Sequence, residues 1–137
     1  LIPANINLEV PSAQIKSGLL LASLNTKGKT IISENKITRD HTETMLKSFG
    51  ANINIEKKEK KKTITVIGNK ELISKNINVP NDLSSSAFLI VSALINNNSH
   101  LLLKDINNNP TRNGLIIALK KMGANITIKN KRIKYSQ

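Results

Sequence analysis

A chain of 137 residues without cysteine can form one domain with a core or two small parts of a larger protein, and it excludes disulfides and thiolate metal sites. The net charge of +12 suggests nucleic acid as a partner, but three of the 21 basic residues are arginine and three residues are aromatic, too few for phosphate clamps and stacking platforms. Because no apolar run reaches the ~20 residues of a membrane span and no signal-peptide pattern is visible, we expect a soluble, cytoplasmic protein with no nucleic-acid or membrane partner.

The first half of the sequence predicts alternating helices and strands. The predicted elements are a helix over 12–24, a strand over 30–33, a helix over 40–49 and paired strands over 53–55 and 63–67. The first helix is expected to bury Ile15, Leu19 and Ala22, which recur at helical spacing, with Leu20 and Leu24 as further candidates for its buried side. In the second helix, Asp40 and Glu43 are spaced as a capping pair.

A glycine and a lysine-rich run mark the turns of this half. Gly50 occupies the position of a C-cap glycine after the second helix. The run EKKEKKK, residues 56–62, lies between the two predicted strands, and we expect it to form the solvated tip of their hairpin. Phosphate binding by these lysines is the less favoured alternative.

The second half of the sequence repeats the first. TRDHTETMLKSFGANI at 38–53 and TRNGLIIALKKMGANI at 111–126 are identical at eight of sixteen positions, and LLLASL at 19–24 parallels LIVSAL at 89–94. The elements predicted here are a helix over 84–95, a strand over 100–103, a helix from Pro110 to Met122 and a hairpin over 126–129 and 132–135. The breaker-rich run 77–82 predicts a domain boundary between the copies. The predicted fold class is therefore α+β, with two repeats of helices packed on small mixed sheets.

The first predicted helix begins with residues that suit either a cap or an anion site. The hydroxyl of Ser12 can accept a hydrogen bond from an exposed backbone N–H. The same helix start offers free N–H groups and the positive end of the helix dipole, and Gln14 adds an amide donor and a carbonyl acceptor. Spacing alone favours an ordinary capped helix over a binding site.

Arg39 stands out because the sequence uses lysine at nearly every other basic position. Arginine in such a sequence indicates a need for a planar, bidentate donor. Its neighbours Asp40, His41 and Glu43 could form a catalytic or metal cluster. However, a His-x-Glu pair alone is too short for a metal site, and a polar first helical turn is the favoured interpretation.

Three separated segments carry a resemblance to a known enzyme family. They are PSAQIKSGLLLASLNTKGKTIISENKITRDHTETMLKSFGA at 11–51, NDLSSSAFLIVSALI at 81–95 and NNNPTRNGLIIALKKMGANI at 107–126. In these segments the chain resembles the 5-enolpyruvylshikimate-3-phosphate synthases, in order and at family-like spacing over practically its whole length. The SAQ-x-K form is similar to the second, glyphosate-tolerant class of that family.

The resemblance implies a fold of two domains, each built from three βαβαββ units, with the active site in the cleft between them. Residues 1–80 would then be the last part of the shikimate-phosphate-binding domain, and residues 81–137 the beginning of the larger portion of the other domain. Both ends of the sequence look cut, so we expect a central piece of the enzyme. Asn81 departs from the family's usual glycine at the crossover, which concerns hinge geometry rather than substrate binding.

The resemblance also implies a reaction between shikimate-3-phosphate and phosphoenolpyruvate. The 5-hydroxyl attacks the enol carbon, and the resulting tetrahedral intermediate loses phosphate. By resemblance, Ser12, Ala13, Gln14 and Arg39 contact shikimate-3-phosphate, and Gln14 also contacts phosphoenolpyruvate. The family's proton-transfer residues would lie after residue 137, so no catalytic residue is expected in this piece. No metal or organic cofactor is implied, and a monomer is expected for the full-length enzyme.

Two alternative functions stay open beside this one. The related UDP-N-acetylglucosamine enolpyruvyl transferases share the repeat architecture but lack the SAQ-x-K and T-R-D-H-T-E runs. A basic nucleic-acid-binding or scaffold module would depend on the net charge alone. If the chain is a piece of the synthase, we expect it to be inactive by itself.

Overall fold

The computed structural model describes residues 1–59 and 61–129, which form two compact units. The first unit extends from Leu1 to Asn76, and the second begins at Ile77. The division between the two family domains at residues 80 and 81 stays a prediction, because a compact unit of this chain need not coincide with a domain of a longer protein.

The first unit is a four-stranded sheet with two helices. Its elements are β1 (Asn5–Leu8), α1 (Ala13–Leu24), β2 (Lys29–Glu34), α2 (His41–Ser48), β3 (Asn52–Lys58) and β4 (Lys61–Ile67). The strands lie in the order β1-β2-β4-β3, with β1 parallel to β2 and β4 antiparallel to both of its neighbours. Parallel strands need a crossover connection, which α1 provides between β1 and β2. The unit is therefore a βαβαββ motif, and the predicted α+β class is confirmed.

Buried side chains alternate along the two central strands, as the period of a strand requires. They are Thr30, Ile32 and Glu34 on β2 and Lys62, Ile64 and Val66 on β4. Ile32 lies opposite Ile64, and Glu34 lies opposite Lys62. Leu20 of α1 packs into the same core. The inward face of the sheet is therefore apolar in its middle and charged at one end.

The second unit contains α3 (Leu83–Ile95) and α4 (Gly114–Lys121). Its core cluster consists of Leu83, Ile90 and Ile116. Asn81 and Ile106 form a single parallel bridge. Across the described parts of both units, no helix is long and apolar enough to cross a membrane.

The repeat that the sequence predicts has the same backbone geometry at the end of its second helix in both copies. Helices α2 and α4 are each followed by a glycine with positive φ, 83° at Gly50 and 93° at Gly123, which glycine adopts without steric cost. The alanine after each glycine donates its N–H to a leucine carbonyl of the helix, at 3.0 Å in the first copy and 2.9 Å in the second. Equivalent positions of the two copies can therefore be compared residue by residue.

The buried face of α1 differs from the predicted one. Ile15 and Ala22 are exposed, and Lys16, which was not expected inside, is fully buried. Leu20 is fully buried and Leu19 and Leu24 are half-buried, in agreement with the prediction. Apolar residues surround most of this helix, so their spacing alone selects no face. The face is decided by the ion pairs of Lys16 with buried glutamates.

Three predictions for the second copy are also wrong. The segments 100–103 and 126–129 are not strands, since neither pairs with another strand in the described residues and an unpaired strand leaves its backbone groups unsatisfied. The helix predicted from Pro110 begins only at Gly114, because residues 110–112 form a turn closed by Arg112 N–H and Asn109 O at 2.8 Å. The predicted strand at 132–135 lies outside the described residues.

Candidate functional site

The predicted binding residues belong to two segments at one edge of the sheet. Strands β1 and β2 are parallel, so their carboxyl ends lie at the same edge, and a helix begins after each. The predicted residues at these two helix starts are Ser12, Ala13, Gln14 and Arg39. The hydroxyls of Ser17 on α1 and Thr42 on α2 lie 2.6 Å apart. The two segments are therefore held next to each other by direct contact of their helices.

Ser12 is the N-cap of α1, as predicted. Its backbone is extended (φ −125°, ψ 118°), and its Oγ accepts the N–H of Ile15 at 3.3 Å. The first helical hydrogen bond runs from Lys16 N to Ser12 O at 3.1 Å, so the N–H groups of Ala13 and Gln14 precede it and point out of the helix start. The Ser12 hydroxyl also donates to Gln14 Oε1 at the long distance of 3.4 Å.

Arg39 directly precedes Asp40, the N-cap residue of α2, and is half-buried. Within the described residues, its guanidinium makes no hydrogen bond and no ion pair. Asp40 makes no side-chain capping bond to α2, and Glu43 points into the interior. The predicted capping pair is therefore wrong, because Glu43 forms buried ion pairs instead.

In the second copy of the repeat, a carboxylate of the chain itself lies at the helix start beside the arginine. Asp82 is the N-cap of α3, as Ser12 is of α1, and Arg112 stands where Arg39 stands in the first copy. One guanidinium nitrogen of Arg112 lies 3.6 Å from Asp82 Oδ1 and donates a short hydrogen bond to Ser84 Oγ. The first copy has a serine where this carboxylate stands.

The carboxylate of Asp82 places a negative charge at the start of α3. Its Oδ2 accepts the backbone N–H of Ser85 at 3.0 Å, and this bond is the main cause of the lowered pKa of Asp82. Desolvation has the second-largest effect on this pKa and opposes the bond, whereas the backbone N–H of Ser84, the hydroxyl of Ser85 and the charge of Arg112 lower the pKa by smaller amounts.

Four charged side chains are buried behind the two helix starts of the first unit. We call Lys16, Glu34, Glu43 and Lys62 the charged cluster. Lys16 Nζ lies 3.1 Å from Glu34 Oε1 and 2.9 Å from Glu43 Oε1. Lys62 Nζ lies 2.6 Å from Glu43 Oε1 and 3.6 Å from Glu34 Oε1. Each side chain is at most 1% exposed, so the pairing is what makes their burial tolerable.

The alternation of inward residues along β2 and β4 indicates that Glu34 and Lys62 are buried, but the prediction did not use it. Lys62 alternates with the inward residue Ile64, and Glu34 alternates with the inward residue Ile32. The prediction that residues 56–62 form a solvated tip is therefore wrong for Lys62, although the other described residues of this run are exposed. Period-two alternation continued to the strand ends would have found both charges.

The geometry does not support a metal or catalytic cluster around Arg39. Glu43 contacts two lysines, which compete with any metal for its Oε1. Across residues 1–59 and 61–129, no three His, Asp or Glu side chains are grouped so that they could hold a metal ion.

The fold and the site define a class of α+β proteins built from βαβαββ repeats, with a capped helix start and an arginine at one sheet edge. Within this class, the family model described as EPSP synthase (3-phosphoshikimate 1-carboxyvinyltransferase) matches residues 1–137. The chain therefore belongs to the EPSP synthase family.

Individual relatives agree with this assignment. The chain is 47% identical over 132 residues to the 3-phosphoshikimate 1-carboxyvinyltransferase of Roseobacter denitrificans, and 49% identical over 126 residues to that of Limosilactobacillus fermentum. These alignments cover 96% and 92% of this chain and 29% of each relative. A solved structure of EPSP synthase from Acinetobacter baumannii matches 98% of this chain and 29% of that chain, with a TM-score of 0.83 and 41% identity. The chain thus spans about 29% of the length of these relatives.

Proposed function

We propose that this chain carries part of the substrate site of an enolpyruvyl transferase. The reaction transfers the carboxyvinyl group of phosphoenolpyruvate to the 5-hydroxyl of shikimate-3-phosphate and releases phosphate. Family membership supports this reaction, since the relatives aligned with nearly the whole chain are named 3-phosphoshikimate 1-carboxyvinyltransferases. Both substrates are small phosphorylated anions, so their site has to neutralise charge and fix orientation.

The observation that carries the proposal is the difference between the two copies of the repeat. In the second copy, Arg112 is matched by the carboxylate of Asp82. In the first copy the N-cap is Ser12, and the guanidinium of Arg39 has no anionic partner within the described residues. A half-buried guanidinium beside an open helix N-terminus is electrostatically unsatisfied, and one phosphate group would satisfy both.

We assign the phosphate of shikimate-3-phosphate to the start of α1 and to Arg39. The N–H groups of Ala13 and Gln14 donate to its oxygens, and the guanidinium adds a bidentate, permanently charged contact. The Ser12 hydroxyl is available to the same phosphate because its contact with Gln14 Oε1 is long. Gln14 is exposed, and its side chain serves phosphoenolpyruvate as well. These roles are binding and orientation, with no proton transfer.

Titration of the 137-residue chain with shikimate-3-phosphate, followed by NMR, tests the proposal. Arg39→Ala should weaken binding by roughly tenfold or more, because a charge-assisted hydrogen bond contributes about 1.5–3 kcal/mol. Gln14→Ala should weaken it less, since a neutral donor contributes less. Arg112→Ala is the matched control: it removes the same side chain from the copy whose arginine already has Asp82, and affinity should not change.

Other results would support other functions. Equal affinity of the Arg39→Ala and Arg112→Ala variants would contradict the proposed site. Steeply salt-dependent DNA binding that ignores Gln14→Ala and Arg39→Ala would indicate a basic nucleic-acid module. Tighter binding of UDP-N-acetylglucosamine than of shikimate-3-phosphate would indicate the related transferase.

The proposal also covers the full-length enzyme of which this chain would be a part. We assign residues 1–80 to the shikimate-phosphate-binding domain and residues 81–137 to the beginning of the other domain's larger portion, and we propose a cytoplasmic, monomeric enzyme. Because the roles assigned to this chain are binding ones, it should release no phosphate from a mixture of both substrates. Measurable turnover by the isolated chain would contradict this.

A further inference from the structure

The two helix residues of the charged cluster are not charged in the second copy of the repeat. Lys16 is the fourth residue of α1 and Glu43 the third residue of α2, and the equivalent residues of α3 and α4 are Ser86 and Ile116. Both of these are buried, so the second copy forms α3 and α4 without a buried lysine or glutamate at these two places. Burying ions costs free energy that their pairing only partly returns. The ion pair between Lys16 and Glu43 is therefore not a requirement of the two helices themselves.

The charged cluster holds the backbone on both sides of Arg39. Thr38, the residue before it, donates its hydroxyl to Glu34 Oε2 at 2.7 Å. Glu43, in the first turn of α2 after it, forms an ion pair with Lys16 at 2.9 Å. Arg39 thus lies on a short segment that two carboxylates of the same cluster fix at both ends.

Lys16 connects this segment to the start of α1. Its backbone N–H donates to Ser12 O at 3.1 Å, and its Nζ contacts both Glu34 and Glu43. Glu43 Oε2 is buried and lacks a hydrogen-bond partner among the described residues, so the cluster is not arranged to maximise its own hydrogen bonding. Its contacts instead join the two segments that carry the proposed phosphate contacts.

We propose that Lys16, Glu34, Glu43 and Lys62 are positioning residues, which hold Arg39 and the start of α1 at the spacing that one phosphate group requires. This inference depends on the proposed function for its ligand. It adds a role for four side chains that do not touch the ligand themselves. Binding geometry is sensitive to such support, because small displacements of a charged contact lose much of its effect.

A charge-balanced variant of the 137-residue chain separates positioning from stability. Lys16→Met with Glu43→Gln removes one positive and one negative buried charge and keeps side chains of similar size. Three of the four ion-pair contacts of the cluster are lost, and Glu34 stays paired with Lys62 at 3.6 Å. Shikimate-3-phosphate should bind roughly tenfold more weakly to this variant, and the Arg39 Nε–H resonance should shift and exchange faster with solvent. The control, Glu56→Gln with Lys58→Met, removes the same two charges from exposed positions and should change neither quantity.

A second variant with a smaller change keeps the test valid if the double variant does not fold. Thr38→Val removes only the hydroxyl that contacts Glu34 and leaves every ion pair intact. It should weaken binding by about threefold to tenfold, less than the loss of a direct charged contact, because this hydrogen bond acts on the ligand only through the position of Arg39. It should shift the Arg39 resonance in the same direction. A merely structural role would change the unfolding midpoint of these variants without changing the Arg39 resonance.

The outcomes distinguish this inference from the proposed function. If Arg39→Ala weakens binding while the double variant and Thr38→Val bind like wild type, the positioning role is wrong and the proposed function stands. If wild type does not bind shikimate-3-phosphate, or if Arg39→Ala binds equally well, the proposed function is wrong. The Arg39 resonance then decides the positioning role: a change in the double variant or in Thr38→Val supports it, and no change in either overturns it.

Discussion

Lys16→Met should be among the most destabilising single substitutions in the first unit. The variant keeps the aliphatic length of the side chain and removes only the buried ammonium group. Glu34 and Glu43 would then share a single lysine, Lys62, at 3.6 and 2.6 Å. The buried site would hold a net negative charge without access to water, which is the situation that folded proteins avoid most strongly.

The size of the effect follows from the distances. Lys16 Nζ lies 3.1 Å from one carboxylate oxygen and 2.9 Å from another. At an effective dielectric constant of about 20, each contact corresponds to an attraction of about 5–6 kcal/mol. Desolvation of the lysine offsets several kcal/mol of this sum, so the free energy of unfolding should fall by about 3–5 kcal/mol, as for other broken buried pairs.

Urea denaturation followed by circular dichroism measures this loss, and a second substitution tests its cause. Adding Glu43→Gln to Lys16→Met restores the charge balance, so the double variant should be more stable than the single one by about 2 kcal/mol or more. Lys27→Met, at an exposed turn position, is the matched control and should change stability by no more than about 0.5 kcal/mol.

Two results would refute this reasoning. A Lys16→Met variant within about 1 kcal/mol of wild type would mean that the lysine is hydrated or unpaired in solution. A double variant less stable than Lys16→Met would mean that the loss comes from packing rather than from unbalanced charge, since the second substitution removes the excess charge.

Other predictions concern pH and backbone conformation. The pKa of Asp82 is lowered in the folded state, so the stabilising effect of its carboxylate is present above the ordinary value of 3.8 and is lost as the pH falls through the lowered value. The difference in urea midpoint between wild type and Asp82→Asn should therefore vanish in acid. A constant difference from pH 6 to pH 2 would contradict this prediction. Gly18→Ala should stabilise the chain by about 0.5–1 kcal/mol, because this helical glycine has no atoms within 4 Å of an added Cβ. Gly50→Ala should destabilise it by about 1–2 kcal/mol because of the positive φ of 83°. In the same denaturation series, a loss of stability in Gly18→Ala would refute the first of these predictions, and a gain in Gly50→Ala would refute the second.

The order of elements was predictable because each element carries a local signal. Ser12 before an apolar run marks a helix start, and the alternation of residues 63–67 marks a strand. The repeat of the Thr-Arg turn and of the glycine after the second helix placed equivalent helices in both halves. These signals depend on neighbours in the chain, so they can be interpreted without the fold.

The pairing of strands in the second copy was not predictable in this way. The segments 100–103 and 126–129 have strand-like composition but pair with no strand in the part of the chain that the structure describes, since a strand requires a partner that its own residues do not specify. The start of α4 at Gly114 likewise reflects a turn that competes with the helical position of Pro110.

The sequence by itself determined the order of the elements from α1 to β4, the repeat and the cap at Ser12. The tertiary structure decided the pairing of β1, which charges are buried and which arginine has a partner. Lys16 lies on a helix that is apolar nearly all round, and its burial depends on Glu34 and Glu43, which other elements contribute. Arg39 also follows a threonine as Arg112 does, yet among the described residues Arg112 forms an ion pair with a carboxylate and Arg39 does not. The physical reason is that caps and periodicity act within a few residues, whereas the electrostatic free energy of a buried ion depends on every charge that the fold brings near it.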